Sequence, residues 1–213
     1  MATAATQRPE PTGRRERNKQ RMAGRLYEAA LTLFQQKGYD ETTIDEITEL
    51  ADTARGTFFN HFPQKEDLIT AWSEQRRLIL TDLVDDLDPA QPTLSRLSHC
   101  LAHLARMNEN EAAVARVMVS AWVKTGRPLT EEPGTAATFA EIIAHGLDRG
   151  DVRTGTDPHL LGLILRDAYL GALYRWSQRP GEPRSLHQEL QDILRLLTPC
   201  IREAPEKAPA VTC

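Results

Sequence analysis

The sequence predicts an all-α protein of about nine helices that begins with a three-helix helix-turn-helix domain. Apolar residues recur every three or four positions along most of the chain, as on one face of an α-helix. Glycine and proline separate these stretches, and no segment alternates apolar and polar residues as a strand would. The helix-turn-helix is inferred from residues 39–69, where two short helical stretches flank a tight turn.

The composition is that of a soluble globular protein. With 213 residues, of which 40% are hydrophobic and 26% charged, the chain resembles an ordinary soluble globular protein. It has no run of about 18 apolar residues that could span a membrane, and its first residues lack the apolar core of a secretory signal. Three scattered cysteines, Cys100, Cys200 and Cys213, do not suggest a disulfide framework, so we expect a cytoplasmic location.

Positive charge is concentrated near the N-terminus, although the formal net charge is −4. Through residue 25, seven lysines and arginines stand against two glutamates. A basic end on an otherwise acidic chain is typical of a protein that meets phosphate groups there. Residues 1–13 and 204–213 have the composition of a disordered arm and a disordered tail.

The first helix is predicted from about Arg14 to Lys37, and Gly38 follows at the position that favours a helix end. Most of this helix supports the core, whereas its basic start can also contact DNA. The next helix begins at Thr43, which forms a capping-box pattern with Glu46. Capping alone explains Thr43, and an added contact with a phosphate group is an open alternative.

The helix after the turn carries the side chains suited to the DNA major groove. Arg55 can reach guanine or phosphate, Thr57 and Asn60 offer short hydrogen-bonding groups, and Phe59 offers an apolar face to thymine methyls. Gly56 allows close backbone approach. Phe58 and Phe62 are expected in the core, and Lys65, after Pro63, is a candidate phosphate contact.

These residues resemble the TetR family of bacterial transcriptional regulators over roughly residues 14–70. The shared positions are Gly38, Tyr39, Thr42, Thr43, Ile44 and Ile47, then Gly56, Thr57, Phe58, Phe59, Asn60, His61, Phe62, Lys65, Glu66 and Leu68. The resemblance implies that these residues face DNA: Thr43, Arg55, Gly56, Thr57, Phe59, Asn60, His61 and Lys65. It also implies a DNA-binding domain over 14–64 and a helical effector-binding and dimerisation domain over 65–203.

Four residues depart from the family pattern, and one of them, Thr53, stands where the turn commonly has valine. Asp52 stands where the turn commonly has glycine, and aspartate can adopt the left-handed conformation that the turn needs. Ala54 lacks the hydroxyl that would cap the following helix, a loss of about 1 kcal/mol. Phe59 replaces a common tyrosine and so removes one hydroxyl contact to phosphate.

Six further helices are predicted after the helix-turn-helix. Their approximate ranges are 68–87, 93–108, 110–125, 135–149, 158–178 and 185–201. Helix 158–178 is too apolar for a single core-facing stripe, so it is either buried all round or packed against a second copy. The resemblance implies the second, a dimer formed by the last two helices. The candidate interface residues are Leu160, Leu163, Gly171, Tyr174, Leu190, Ile193 and Leu197.

The helices after the first domain also carry aromatic, methionine and histidine side chains that could line a cavity. The candidates are His103, Met107, Met118, Trp122, Phe139, His145, Tyr169 and Tyr174. For each one alone, core packing is the simpler interpretation. Together with the resemblance, they indicate a pocket for a small, largely apolar effector.

Catalytic and metal-binding motifs are not evident. His99 and His103 have a spacing that could ligate a metal, with Cys100 beside them, but no further ligand cluster completes a site, and we expect no cofactor. Taken with the resemblance, the sequence implies a homodimeric repressor that binds a palindromic DNA operator and is released by a small molecule. A regulator controlled by a protein partner, or an all-α enzyme, are the alternatives.

Overall fold

The computed structural model describes residues 13–126, 134–181 and 184–202. Within these ranges every regular element is an α-helix, so the predicted all-α class is confirmed. The helices are α1 (Arg14–Lys37), α2 (Ile44–Leu50), α3 (Arg55–His61), α4 (Asp67–Asp86), α5 (Thr93–Asn110), α6 (Ala112–Lys124), α7 (Gly134–Arg149), α8 (Pro158–Gln178) and α9 (Leu186–Ile201). The predicted arm, apart from Gly13, and the predicted tail lie outside the described residues. None of the described helices combines the length and apolarity that crossing a bilayer requires.

The chain divides into two compact units, Met1–Leu68 and Ile69–Cys213. The first is built on the apolar stripe of α1, against which the two short helices α2 and α3 pack. Its fully buried side chains are Leu26, Ala30, Phe34, Ile47, Phe58 and Leu68. Helices of seven residues are marginal in isolation, so α2 and α3 depend on this shared core.

The local signals in the first unit occur where the sequence places them. Thr43 and Glu46 form the capping box at the start of α2, and Gly38 follows α1 with φ 89°. Asp52 holds the turn with φ 49°, in the left-handed region. Ala54 makes no capping hydrogen bond to α3, because its methyl group cannot accept one.

In the second unit, α8 packs against α6 and α7, and α9 packs against α5. The α7–α8 contact passes through Gly162, where an added Cβ would lie 2.5 Å from the Ala136 carbonyl oxygen and 3.0 Å from the Ala140 nitrogen. Because these are backbone atoms, only glycine permits this approach. The core of this unit includes Leu97, Leu101, Met118, Phe139, Ile142 and Ile143.

Candidate nucleic-acid interface and ligand cavity

Helix α3 divides its side chains between core and solvent. Phe58 and Phe62 are buried, with ring centroids 5.7 Å apart, as predicted. Phe59 and Asn60, by contrast, are exposed, and a Cβ at Gly56 would meet no atom within 4 Å. Packing within the first unit therefore does not require glycine at position 56, and the outer side of α3 is open to a partner.

Arg55 is held by two neighbours on this exposed side. Its guanidinium donates to the Asp45 carboxylate and lies 5.6 Å from the centre of the Phe59 ring. The Arg55 and Asp45 side chains are 56% and 70% exposed, so water screens the pair. We did not expect Asp45 here from the sequence, although its position in the first turn of α2 faces the start of α3.

Thr43 is exposed at the start of α2, where its hydroxyl already has partners. Thr43 Oγ1 donates to Glu46 Oε2 at 2.8 Å and accepts from the Glu46 amide at 3.3 Å. Lys37 forms an ion pair with the same carboxylate. These bonds, with the one from Lys37 foremost, lower the pKa of Glu46 from 4.5 to about 2. The phosphate contact of Thr43 stays a prediction, alongside a capping role that the structure shows.

Lys65 is half-buried and anchors the loop between α1 and α2. Its Nζ donates to the carbonyl oxygens of Tyr39 and Thr42, both at 2.9 Å, and lies 4.3 Å from the centre of the Tyr39 ring. This structural role was missed at the sequence level, because Lys65 and its acceptors are more than 20 residues apart. Contacts of Lys65, Thr57 and His61 with DNA stay predictions, and the latter two side chains are half-buried.

The second unit contains a cavity of about 540 Å³. It is lined by Thr70, Trp72, Ser73, Glu74, Arg76 and Arg77 from α4, Leu104 from α5, Trp122 from α6, Gly134 and Thr135 from α7, and Arg166, Tyr169, Leu170 and Leu173 from α8. Among the predicted pocket residues, Trp122 and Tyr169 line it. The other six do not: Met118 and Phe139 are fully buried in the core, His103 and Met107 are half-buried, and His145 and Tyr174 are exposed.

Arg76 is the centre of a buried polar group at this cavity. Its guanidinium lies 3.8 Å from the centre of the Trp72 ring and donates to Glu111 at 2.8 Å. A longer contact of 3.4 Å reaches the side-chain oxygen of Asn108, and the side-chain nitrogen of Asn108 donates to the Tyr169 hydroxyl at 3.2 Å. Burial raises the pKa of Tyr169, so its hydroxyl keeps its proton. The sequence did not reveal this group, because its members come from three helices.

The candidate dimer residues on α8 and α9 differ in exposure. Leu160 and Tyr174 are exposed, whereas Leu163, Gly171, Ile193 and Leu197 are half-buried. Leu190 is fully buried, so its prediction as an interface residue is wrong for this protomer. It follows Leu186 by four residues and precedes Leu194 by four, and this stripe faces the protomer's own core. Ile164 and Leu196, which we did not predict, are exposed.

No group of three or more histidine, cysteine or acidic side chains able to hold a metal ion occurs in the described part of the chain. Cys100 is buried, which raises its pKa to about 11. Burial also lowers the pKa of His103. A buried neutral thiol is an ordinary core group.

Comparisons with known proteins agree with this geometry. Residues 26–72 match the model of the bacterial regulatory proteins of the tetR family. The chain is 25% identical over 189 residues to the HTH-type transcriptional repressor DhaR of Mycobacterium sp. strain GP1, covering 82% of this chain and 91% of that protein. It is 22% identical over 179 residues to the repressor KstR of Rhodococcus jostii, covering 81% of each.

Solved structures show the same fold. The crystal structure of Thermus thermophilus FadR, a TetR-family transcriptional repressor in complex with lauroyl-CoA, superposes with a TM-score of 0.68 at 27% identity. The superposed region covers 88% of this chain and 99% of the FadR chain. SmeT, repressor of the Stenotrophomonas maltophilia efflux pump SmeDEF, has a TM-score of 0.68 at 20% identity, covering 91% of this chain and 96% of its own, and supports the fold alone. Residues 26–72 carry the domain of the tetR family of bacterial regulatory proteins, and the chain is a DNA-binding transcriptional regulator.

Proposed function

We propose that this regulator is a cytoplasmic repressor that binds a palindromic operator as a homodimer and is released by a small-molecule effector. Residues 14–64 form its DNA-binding domain in this proposal, and residues 65–203 bind the effector and the second protomer. The relatives named above are themselves named as repressors. The observation that carries the proposal is the division of α3 between a buried side and an open side with Arg55, Phe59 and Asn60.

The exposed side of α3 has the chemistry that base reading needs. Arg55 can donate two hydrogen bonds to a guanine, Asn60 can pair with an adenine, and Phe59 can contact a thymine methyl. Gly56 leaves room for the sugar-phosphate backbone. Thr43, Thr57, His61 and Lys65 complete the interface as contacts to phosphate, which position the protein without reading sequence.

Dimerisation is supported by apolar side chains left exposed on the last two helices. Leu160 and Ile164 follow one another by one turn on α8, and Leu196 on α9 is 79% exposed. Isolated exposed leucines are common, but several on two neighbouring helices favour an isologous contact with a second copy. A two-fold dimer then places its recognition helices in successive major grooves, about 34–36 Å apart.

Release by an effector is supported by the cavity and by the family neighbour that holds lauroyl-CoA. Helix α4 begins at Asp67, soon after α3 in the chain, and contributes six residues to the cavity lining. We infer that a ligand favours a shifted position of α4 in which the dimer fits its operator poorly. A ligand can act in this way only if its affinity differs between the two conformations.

The first test is binding of the purified full chain to duplex DNA from upstream of its own gene, across a salt series, with the mass of the complex measured by sedimentation. Selective binding of a dimer supports the proposal and supplies the operator. Weak binding that modest salt abolishes equally for every sequence contradicts it. Once the operator is known, equal effector affinity for the free and the operator-bound dimer rules out release by ligand. Selective binding that no small molecule affects favours control by a protein partner.

A further inference from the structure

The chemistry of the cavity points to a particular class of effector. We propose that the ligand is an amphipathic anion, an apolar body that carries one carboxylate, and that its carboxylate lies beside Arg76, Trp72 and Tyr169. This inference rests on the proposed function only for the regulatory role of the ligand. The recognition itself follows from the side chains that line the cavity.

Part of the lining suits an apolar body. Leu104, Trp122, Leu170 and Leu173 belong to α5, α6 and α8 and present aliphatic or aromatic surface. A cavity of about 540 Å³ matches the size of small-molecule pockets in general. Burial of apolar ligand surface against these side chains supplies affinity without dictating the head group.

The polar part of the lining is rich in donors. Trp72 is 2% exposed, and its indole Nε1 has no hydrogen-bond acceptor among the described residues. A buried donor without an acceptor costs about 1–3 kcal/mol, which a bound acceptor would remove. The Tyr169 hydroxyl already accepts a bond from Asn108 and keeps its own proton to donate. An acceptor on the ligand is therefore what this end of the cavity lacks.

Charge favours an anionic acceptor: each arginine of the lining has a carboxylate partner, but the partners of Arg76 and Arg166 lie outside the lining. Three arginines and one carboxylate, Glu74, line the cavity, and Glu74 accepts two bonds from Arg77 at 2.8 and 2.5 Å. Arg76 is balanced by Glu111, whose side chain is 57% exposed and does not line the cavity. A ligand carboxylate would meet a buried guanidinium whose present partner faces water. A ligand ammonium would meet repulsion, because Glu74 is already engaged.

Three probes of one chain length test the charge preference: decanoate, 1-decanol and decylamine, each titrated by calorimetry into the full-length protein without DNA. We expect decanoate to bind at least about tenfold more tightly than either of the others, the difference of one charge-assisted hydrogen bond. Equal or tighter binding of the alcohol or the amine overturns the inference. Failure of all three to bind at millimolar concentration overturns it as well.

Conservative variants locate the head group. Trp72→Phe keeps an aromatic ring under Arg76 but removes the unpaired donor, and it should weaken decanoate about tenfold and decanol less, because a hydrogen bond to an ionised acceptor is stronger than one to a hydroxyl. The matched control is Trp176→Phe. The Arg116 guanidinium lies 4.5 Å from the centre of the Trp176 ring, yet Trp176 is outside the cavity lining. Equal loss in both variants, or no loss in Trp72→Phe, contradicts the assignment. Arg76→Gln should weaken decanoate selectively too.

These binding measurements stay informative if the regulatory proposal fails. Decanoate that binds selectively but leaves operator affinity unchanged would contradict ligand release and retain the anion site. If a small molecule releases the operator but the three probes show no preference for the carboxylate, the anion site is contradicted and release by ligand is retained.

Discussion

Two arginines in the two units share the same kinds of partner and differ in burial. Arg55 donates to one carboxylate and lies 5.6 Å from a phenylalanine ring centre, with 56% of its side chain exposed. Arg76 also donates to one carboxylate and lies 3.8 Å from a tryptophan ring centre, but its side chain is 9% exposed. Burial decides what each arginine can do. Water lets Arg55 exchange its carboxylate for a phosphate or a base at little cost, whereas Arg76 can release Glu111 only to another anion.

The largest effect is expected when the ion pair between Arg76 and Glu111 is broken. Glu111→Gln leaves the Arg76 guanidinium without its counter-charge, and we expect a loss of about 2 kcal/mol of unfolding free energy, less than for a fully buried pair because Glu111 is exposed. Urea unfolding followed by circular dichroism measures it. The control is Asp45→Asn, which removes the partner of Arg55 in a pair whose side chains are 56% and 70% exposed. Similar losses in both variants would show that burial does not separate them.

A second prediction tests Arg55 as a reader of bases. Arg55→Ala should reduce discrimination between the operator and a single-base variant of it by about 1–2 kcal/mol, while affinity for unrelated duplexes falls less. Competition binding against a panel of operator variants gives the discrimination at each position. A uniform loss for every duplex would make Arg55 a phosphate contact instead.

A third prediction separates Asp45 from Arg55. Asp45→Asn should change stability by less than about 0.5 kcal/mol, because the pair is exposed. It should also raise affinity for unrelated duplexes and steepen the salt dependence by up to about one charge, because the freed guanidinium can pair with phosphate. A salt slope equal to that of the unaltered protein would mean that Asp45 does not restrain Arg55 at the DNA surface.

The smallest expected effect concerns the exposed carboxylate of Glu46 and its dependence on pH. Its folded pKa of about 2 lies below the ordinary 4.5, so its contribution to stability is present above pH 4.5 and is lost as the pH falls toward 2. The difference in melting temperature between the protein and Glu46→Gln should therefore be constant from neutral pH to about 5 and then close. If the difference in melting temperature persists at pH 2, the effect of Glu46→Gln comes from the shape of the side chain and not from the charge of Glu46.

The first unit was predictable because its helices carry their own boundaries. Thr43 and Glu46 mark a start, Gly38 marks an end, and the turn needs only the left-handed Asp52. Such signals act within a few residues of one another, so they can be read along the chain. The partners of Lys65 and Arg55 escaped prediction because they lie at least ten residues away.

The cavity was harder to predict, because five helices must be packed before its walls exist. Composition pointed equally to Trp122 and Tyr169, which line the cavity, and to Met118 and Phe139, which fill the core. The polar residues Arg76 and Arg166 were not predicted, since an arginine on a helix is more often at the surface. Leu190 was misassigned for a related reason, as an apolar stripe does not say which neighbour covers it.

Gly162 bears on how stiff the walls of the cavity are. At this residue α7 and α8 touch through backbone atoms, which cannot rotate away as side chains can. The two helices should therefore move as one body, with Thr135 on one and Tyr169 on the other keeping their spacing during any change of shape. If a ligand shifts α4 as proposed, Trp72 and Arg76 on that helix would change their distance from this pair of helices. Entry of a ligand would then displace α4 relative to α7 and α8 as a unit.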